Sequence, residues 1–156
     1  MMRKQNGFSL IELLIVVAII LVIAAIAIPN MLRAKIAANE ANAVATIRTV
    51  TSAQLMYKIQ YPEIGYAPDL DSLGGTGVMD ASHAGILPNT LSTAPYQVGG
   101  YTFSTSGTKE TFVVTAVPVT SGKTGVRSFC TDTPAIIYFV GEGLSCSPGT
   151  AATVLQ

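Results

Sequence analysis

Few residues in this chain are placed to do chemistry. Its one histidine, His83, follows Asp80, Ala81 and Ser82, so a Ser/His/Asp arrangement is conceivable. Triad partners normally come from separate elements, and neighbours in sequence seldom reach that geometry. We expect His83 in a solvated loop. The glycine patterns at 74–77 and 141–143 lack a strand-to-helix context, so no nucleotide site is expected, and Glu142 reads as a turn residue. Cys130 and Cys146 have fifteen residues between them. There is no CxxC and no Cys/His cluster, so no metal site is expected. Nine basic and nine acidic side chains give zero net charge, which offers no polybasic patch for nucleic acid. No catalytic set and no cofactor site emerge. The residue most in need of explanation is Glu12, a carboxylate inside the apolar run of residues 7–29.

That run decides what must position Glu12. Residues 13–28 are sixteen in a row without a polar side chain. A secretory signal peptide is one reading, but the run is long for a signal core and no A-x-A site follows. The other is a membrane-spanning helix. Residues 8–28 would span about 31 Å, which matches the hydrocarbon core of a bilayer. Arg3 and Lys4 favour a cytoplasmic N-terminus, while Arg33 and Lys35 at the far end leave the charge bias ambiguous. A disulfide between Cys130 and Cys146 would put the C-terminal part in an oxidising compartment, outside the inner membrane. Two free, buried thiols are the alternative. An acidic residue at mid-membrane costs about 2.5–3.5 kcal/mol on insertion scales; Glu12, near the edge, costs less and can snorkel. Pro29 either ends the helix or bends it. Helical sequence resumes at once, so we expect a kinked, continuing helix. The small Ala24, Ala25 and Ala27 would allow close packing in a bundle.

Residues 30–60 hold seven alanines and neither proline nor glycine, which predicts an amphipathic continuation of the helix. Val44, Ile47, Leu55 and Ile59, with Thr51 in the gap, are the expected apolar stripe, and Arg33, Glu40, Arg48 and Lys58 are expected on other faces. The whole helix would be roughly 75–80 Å long. The stripe is too short and too rich in alanine and threonine for a sustained coiled coil. Residues 61–100 contain Pro62, Pro68, Pro88 and Pro95 and seven glycines. They predict a long, mostly irregular connection with one short helix near 69–73; a loop of such length is usually functional or part of an interface. Residues 101–105, 110–117, 126–131 and 135–140 alternate as strands separated by turn residues, an antiparallel meander of about four strands. One face would pack on the helix. A disulfide would join the third of these strands to the tail, contributing about 3 kcal/mol by the loop-entropy estimate.

The register Lys4, Gly7, Phe8, Ser9, Leu10, Ile11, Glu12, Leu13, Leu14 resembles the class III signal of type IV pilins and type II secretion pseudopilins. The likeness runs from Lys4 to about Pro29. It implies a leader at 1–7, a transmembrane and filament-core helix at 8–29, its amphipathic continuation at 30–60, an αβ-loop at 61–100 and an antiparallel sheet with a C-terminal disulfide loop at 101–156. The fold implied is α+β, a long N-terminal helix packed on a small antiparallel sheet. A prepilin peptidase would cut between Gly7 and Phe8 and methylate the new Phe8 amine. The mature chain then has seven basic and nine acidic side chains, a net of −2. The Glu12 carboxylate of one subunit would meet the Phe8 amine of its neighbour, since either charge alone in an apolar core is costly. Pro29 would mark a bend. Implied partners are further copies of the chain in a helical filament, the peptidase, an inner-membrane assembly platform and membrane lipid before assembly. The place implied is the inner membrane, with the N-terminus cytoplasmic, and then a surface pilus or periplasmic pseudopilus. Residues 143–156 contain no acidic side chain, so the Asp-rich calcium loop of the major pseudopilin is missing. An electron path through Tyr57, Tyr61 and Tyr66 could be proposed; core packing or subunit contact explains them better. The resemblance makes the chain a structural subunit rather than an enzyme. From other classes, an anchored binding domain would not need Gly7 and Glu12 together, and an anchored hydrolase would need a convergent acid/base set that the sequence lacks.

Overall fold

The structure, a computed structural model, describes residues 8–75, 79–141, 146–147 and 153–155. It begins with one long helix, α1 (Leu10–Gln60). The Ser9 carbonyl accepts the first helical bond, from Leu13 N–H at 3.2 Å. Glu12 lies in the first turn, where a negative charge suits the helix dipole. Pro29 stands inside the helix, which runs on past it. Lacking an N–H, Pro29 leaves the Ala25 carbonyl without its usual donor. Two short helices follow, α2 (Leu70–Leu73) and α3 (Asn89–Ser92). Asp69 caps α2 by accepting from Ser72 N–H at 2.8 Å. The chain divides into two compact units, one ending at Ala34 and one beginning at Lys35.

In the second unit a six-stranded antiparallel sheet is wound in sequence order: β1 (Gln97–Val98), β2 (Tyr101–Gly107), β3 (Phe112–Pro118), β4 (Ser128–Asp132), β5 (Ile137–Val140) and β6 (Thr153–Val154). Each strand pairs with the next, as short connections allow. Four of these strands match the expected meander. The edge strands β1 and β6 have two residues each, too short to leave a periodic signal. The connection over 61–100 is more ordered than expected, because α3 and β1 lie inside it beside α2.

The core forms between one sheet face and the helix. Tyr101 and Phe103 of β2, Phe112, Val114 and Ala116 of β3 and Phe129 of β4 are buried against Ala43, Ile47, Val50, Ala53 and Tyr57 of α1. The helical stripe therefore differs from the expected one. Leu55 is 43% exposed and Ile59 82% exposed. Successive steps of four residues rotate the stripe by roughly 40° each at 3.6 residues per turn, carrying Leu55 and Ile59 off the buried face. Alternating steps of three and four keep it in place, and the buried set Glu40, Ala43, Ile47, Val50, Gln54, Tyr57 follows them. The other sheet face has a smaller apolar cluster of Cys130, Val140 and Cys146, with Tyr138 against it. This second cover explains why four of the five β4 residues are buried: the strand is covered on both faces.

Gln54 joins helix, connection and sheet. Its amide donates to the Ala67 carbonyl at 3.1 Å and the Thr105 hydroxyl at 2.9 Å, and its oxygen accepts from Ala67 N–H at 2.8 Å. Gly65 has φ +95°, a left-handed conformation, and a Cβ there would run into the backbone of Lys109. That close approach sets the β2–β3 turn against the end of α1.

Candidate assembly site

Among the described residues, the first unit is an apolar helix whose side chains are exposed. Every side chain from 8 to 34 is exposed except Ala24, which is half-buried. Among the described residues, α1 is the one helix long and apolar enough to cross a membrane. Phe8 is the first residue described and is exposed. Glu12, one turn further on, makes no hydrogen bond or ion pair among the described residues. Its surroundings are aliphatic: Ile11, Leu13, Leu14 and Ile15 are all exposed beside it. A charged carboxylate on such a surface is costly to cover unless it is paired. Glu12 and Pro29 thus lie on α1, and Phe8 stands two residues before its first residue. Arg3, Lys4 and Gly7 fall outside the described residues, as does Glu142.

The second unit presents its own arrangement. Cys130 and Cys146 are bonded, with their Cα atoms 5.6 Å apart. The bond holds Cys146 against the outer face of β4. Glu40 is not on a free face of the helix as expected but only 7% exposed. Its carboxylate accepts the backbone N–H groups of Val126 and Arg127, each at 3.1 Å. Its other oxygen takes Arg127 Nε at 2.8 Å and Nη2 at 2.6 Å. The guanidinium also sits over the rings of Phe129 and Phe139, 5.5 and 5.3 Å from their centroids. Burial pushes the Glu40 pKa up, but the hydrogen bonds from Arg127 and from the two N–H groups, with the Arg127 charge, outweigh it and hold the carboxyl below its ordinary value. Tyr101 donates to the Arg127 carbonyl at 2.8 Å, and burial, aided by the Glu40 charge, pushes its phenol up to about 12. Sequence reading missed this clasp. The signal was present in the spacing, since Glu40 stands three residues before Ala43 and seven before Ile47, on the core stripe.

The other chemistry-bearing residues are accounted for locally. The Asp80 carboxylate accepts Ser82 N–H at 2.8 Å and His83 N–H at 3.0 Å, and these bonds, Ser82 first, hold its pKa below the ordinary value. Asp80, Ser82 and His83 form a tight, exposed turn. Tyr57 and Tyr66 are buried, Tyr57 beside Tyr61 and Tyr66 beside Phe112 with centroids 4.9 and 4.8 Å apart.

A long exposed apolar helix with one early carboxylate, continuing into a helix packed on an antiparallel meander, is an α+β architecture consistent with a pilin fold. The prokaryotic N-terminal methylation motif matches residues 2–28. The chain is similar over part of its length to type IV pilins and to type II secretion pseudopilins. It is 48% identical over 58 residues to the type IV wide pilus major component PilA4 of Thermus thermophilus, covering 37% of this chain and 44% of that protein. It is 37% identical over 86 residues to the type IV major pilin protein PilA of Myxococcus xanthus, covering 51% of this chain and 39% of that protein. It is 41% identical over 58 residues to the type II secretion system core protein G of Vibrio cholerae, covering 37% of this chain and 40% of that protein. The chain thus matches less than half the length of each of these curated relatives. No solved structure gives a significant match.

Proposed function

We propose that this chain is a structural subunit that polymerises through α1 into a type IV pilus-like helical filament. The observation that carries the reading is the methylation-motif match over residues 2–28, which spans Gly7, Phe8 and Glu12. On this reading a prepilin peptidase cuts after Gly7 and methylates Phe8. The new α-amino group, with a pKa near about 7.7–8, is largely cationic at neutral pH. In the inner membrane Phe8 and Glu12 stay near the aqueous edge. In the filament the apolar surface of 10–32 is covered by other copies, and the Glu12 carboxylate meets the Phe8 amine of a neighbour. A copy docked in another stagger leaves both charges unpaired in an apolar core, which breaks a buried pair at a cost of about 3–5 kcal/mol. Glu12 thus sets the register of addition. Pro29 gives the helix a place to bend as it enters the bundle. The N-terminus faces the cytoplasm before assembly, and the disulfide-bearing unit lies outside the inner membrane.

A second reading, a pseudopilus subunit of type II secretion, is favoured by the similarity to core protein G. The lack of any acidic side chain in 143–156 speaks against the calcium-loop form of that subunit. Both readings share cleavage, methylation and the Phe8–Glu12 pairing. The test of the shared step is Glu12→Ala. The variant should be cut normally, accumulate in the inner membrane and give at most about a hundredth of the filaments counted by electron microscopy, a loss of the size expected from an uncompensated charge pair. Normal filament numbers would overturn the register role.

A further inference from the structure

We propose that the unit beginning at Lys35 docks head to tail on a second copy of this chain. The end carrying Ile59 and Ile64 of one copy meets the end carrying Val119 and Lys123 of the next. The inference rests on the assembly reading and goes beyond it by naming two surfaces outside the apolar N-terminal helix.

The two ends are fixed by contacts to the helix. Asn39 donates to the Thr124 carbonyl at 2.8 Å, and Val119 N–H bonds the Gly100 carbonyl at 3.0 Å, so the β3–β4 connection lies at the Lys35 end. Tyr57 donates to the Ala81 carbonyl, and Gly65 lies against Lys109, so the 61–66 and 108–111 turns lie at the Gln60 end. From Glu40 to Ile59 the helix rises about 28 Å.

Each end exposes aliphatic side chains that the unit does not use. Met56, Ile59 and Ile64 are exposed at one end, and Val119, 47% exposed, with Val117 at the other. The charges around them differ in sign. At the Gln60 end Glu63, Asp80 and Glu110 are exposed and exceed Lys58 and Lys109 by one charge, Glu63 lying 3.8 Å from Lys109 in an exposed pair and Asp80 3.9 Å from His83. At the Lys35 end Lys35 and Lys123 are exposed, and the one carboxylate among the described residues there, Glu40, is buried in its clasp with Arg127. An apolar patch with an acidic rim at one end therefore faces, in a translated copy, an apolar patch with a basic rim. That complementarity selects a second copy as the occupant, since an unrelated partner would use one patch and leave the other bare. A contact between two different surfaces does not close on itself but repeats along an open line. The charged rims steer encounter and fix polarity, while the aliphatic centres exclude water.

The experiment places p-benzoylphenylalanine at position 59 of the full chain, in cells with the wild-type copy removed. After illumination, adducts are mapped by mass spectrometry in membranes and in sheared filaments. The expected adduct joins position 59 to residues 117–123 of a second copy. Lys123→Glu should lower its yield by up to about fivefold, the worth of an exposed ion pair, and adding Glu63→Lys should restore it. Adducts confined to other residues, or none from abundant chain, would overturn the contact. Filaments that form without the adduct sink this contact and leave the assembly reading intact. The adduct in membranes without any filaments does the reverse.

Discussion

Replacing Glu40 should unfasten the sheet from the helix, and its cost can be worked from four contacts. One carboxylate oxygen accepts Val126 and Arg127 backbone N–H at 3.1 Å each. The other accepts Arg127 Nε and Nη2 at 2.8 and 2.6 Å. Glu40→Ala leaves both N–H groups without an acceptor, at about 1 kcal/mol or more each. The Arg127 side chain is 41% exposed, so its share is discounted to about 1 kcal/mol, the ceiling for a surface pair. The total is about 3 kcal/mol, or about 6–12 °C in Tm for a chain of this size. Glu40→Gln keeps an acceptor for the N–H groups and loses the charge, costing about 1 kcal/mol. The assay is thermal unfolding of the full chain in detergent, followed by near-ultraviolet circular dichroism of the buried tyrosines. The pH dependence follows from the lowered pKa. A carboxyl held below its ordinary value of 4.5 contributes stability that is full above that value and is lost as pH falls through the folded one. Wild type should therefore lose more Tm than Glu40→Gln between pH 5 and about pH 3. Equal Tm for wild type and Glu40→Ala at pH 7, or parallel pH profiles for wild type and Glu40→Gln, would refute the clasp.

Two further predictions concern the same unit. Cys130→Ser with Cys146→Ser should cost about 2–5 kcal/mol, and dithiothreitol should lower the wild-type Tm while leaving that variant unchanged; an insensitive wild type would mean the bond contributes nothing. Ile47→Ala should cost about 2–5 kcal/mol because Ile47 is fully buried, whereas Ile59→Ala should stay within about 0.5 kcal/mol in urea unfolding; comparable losses would place both on the core stripe.

Much of this molecule is written in its periodicities. The unbroken apolar run of 13–28 and the absence of helix breakers before Tyr61 other than Pro29 specify α1, and the alternation in residues such as Phe112, Val114 and Ala116 specifies β3. What escaped reading had weak or ambiguous local signals. β1 and β6 exist through pairing with β2 and β5, not through their own two residues each. The helical face was misjudged because Leu55 and Ile59 are large and apolar, whereas the true stripe includes Glu40 and Gln54, whose polar groups are satisfied only by distant backbone. Charged residues read as surface until a partner such as Arg127, 87 positions away, is brought to them. The N-terminal motif was legible for the opposite reason. Gly7, Phe8 and Glu12 stand within six residues of one another in the sequence, so the motif needs no tertiary contact to be seen.

The measurement that bears most directly on the assembly account is the intact mass of the chain in filaments sheared from cells that express it. The account predicts a chain that starts at methylated Phe8, is two hydrogens light for the Cys130–Cys146 bond, and is abundant in the sheared fraction. A chain in the membrane still carrying residues 1–7, and absent from the sheared material, would contradict it.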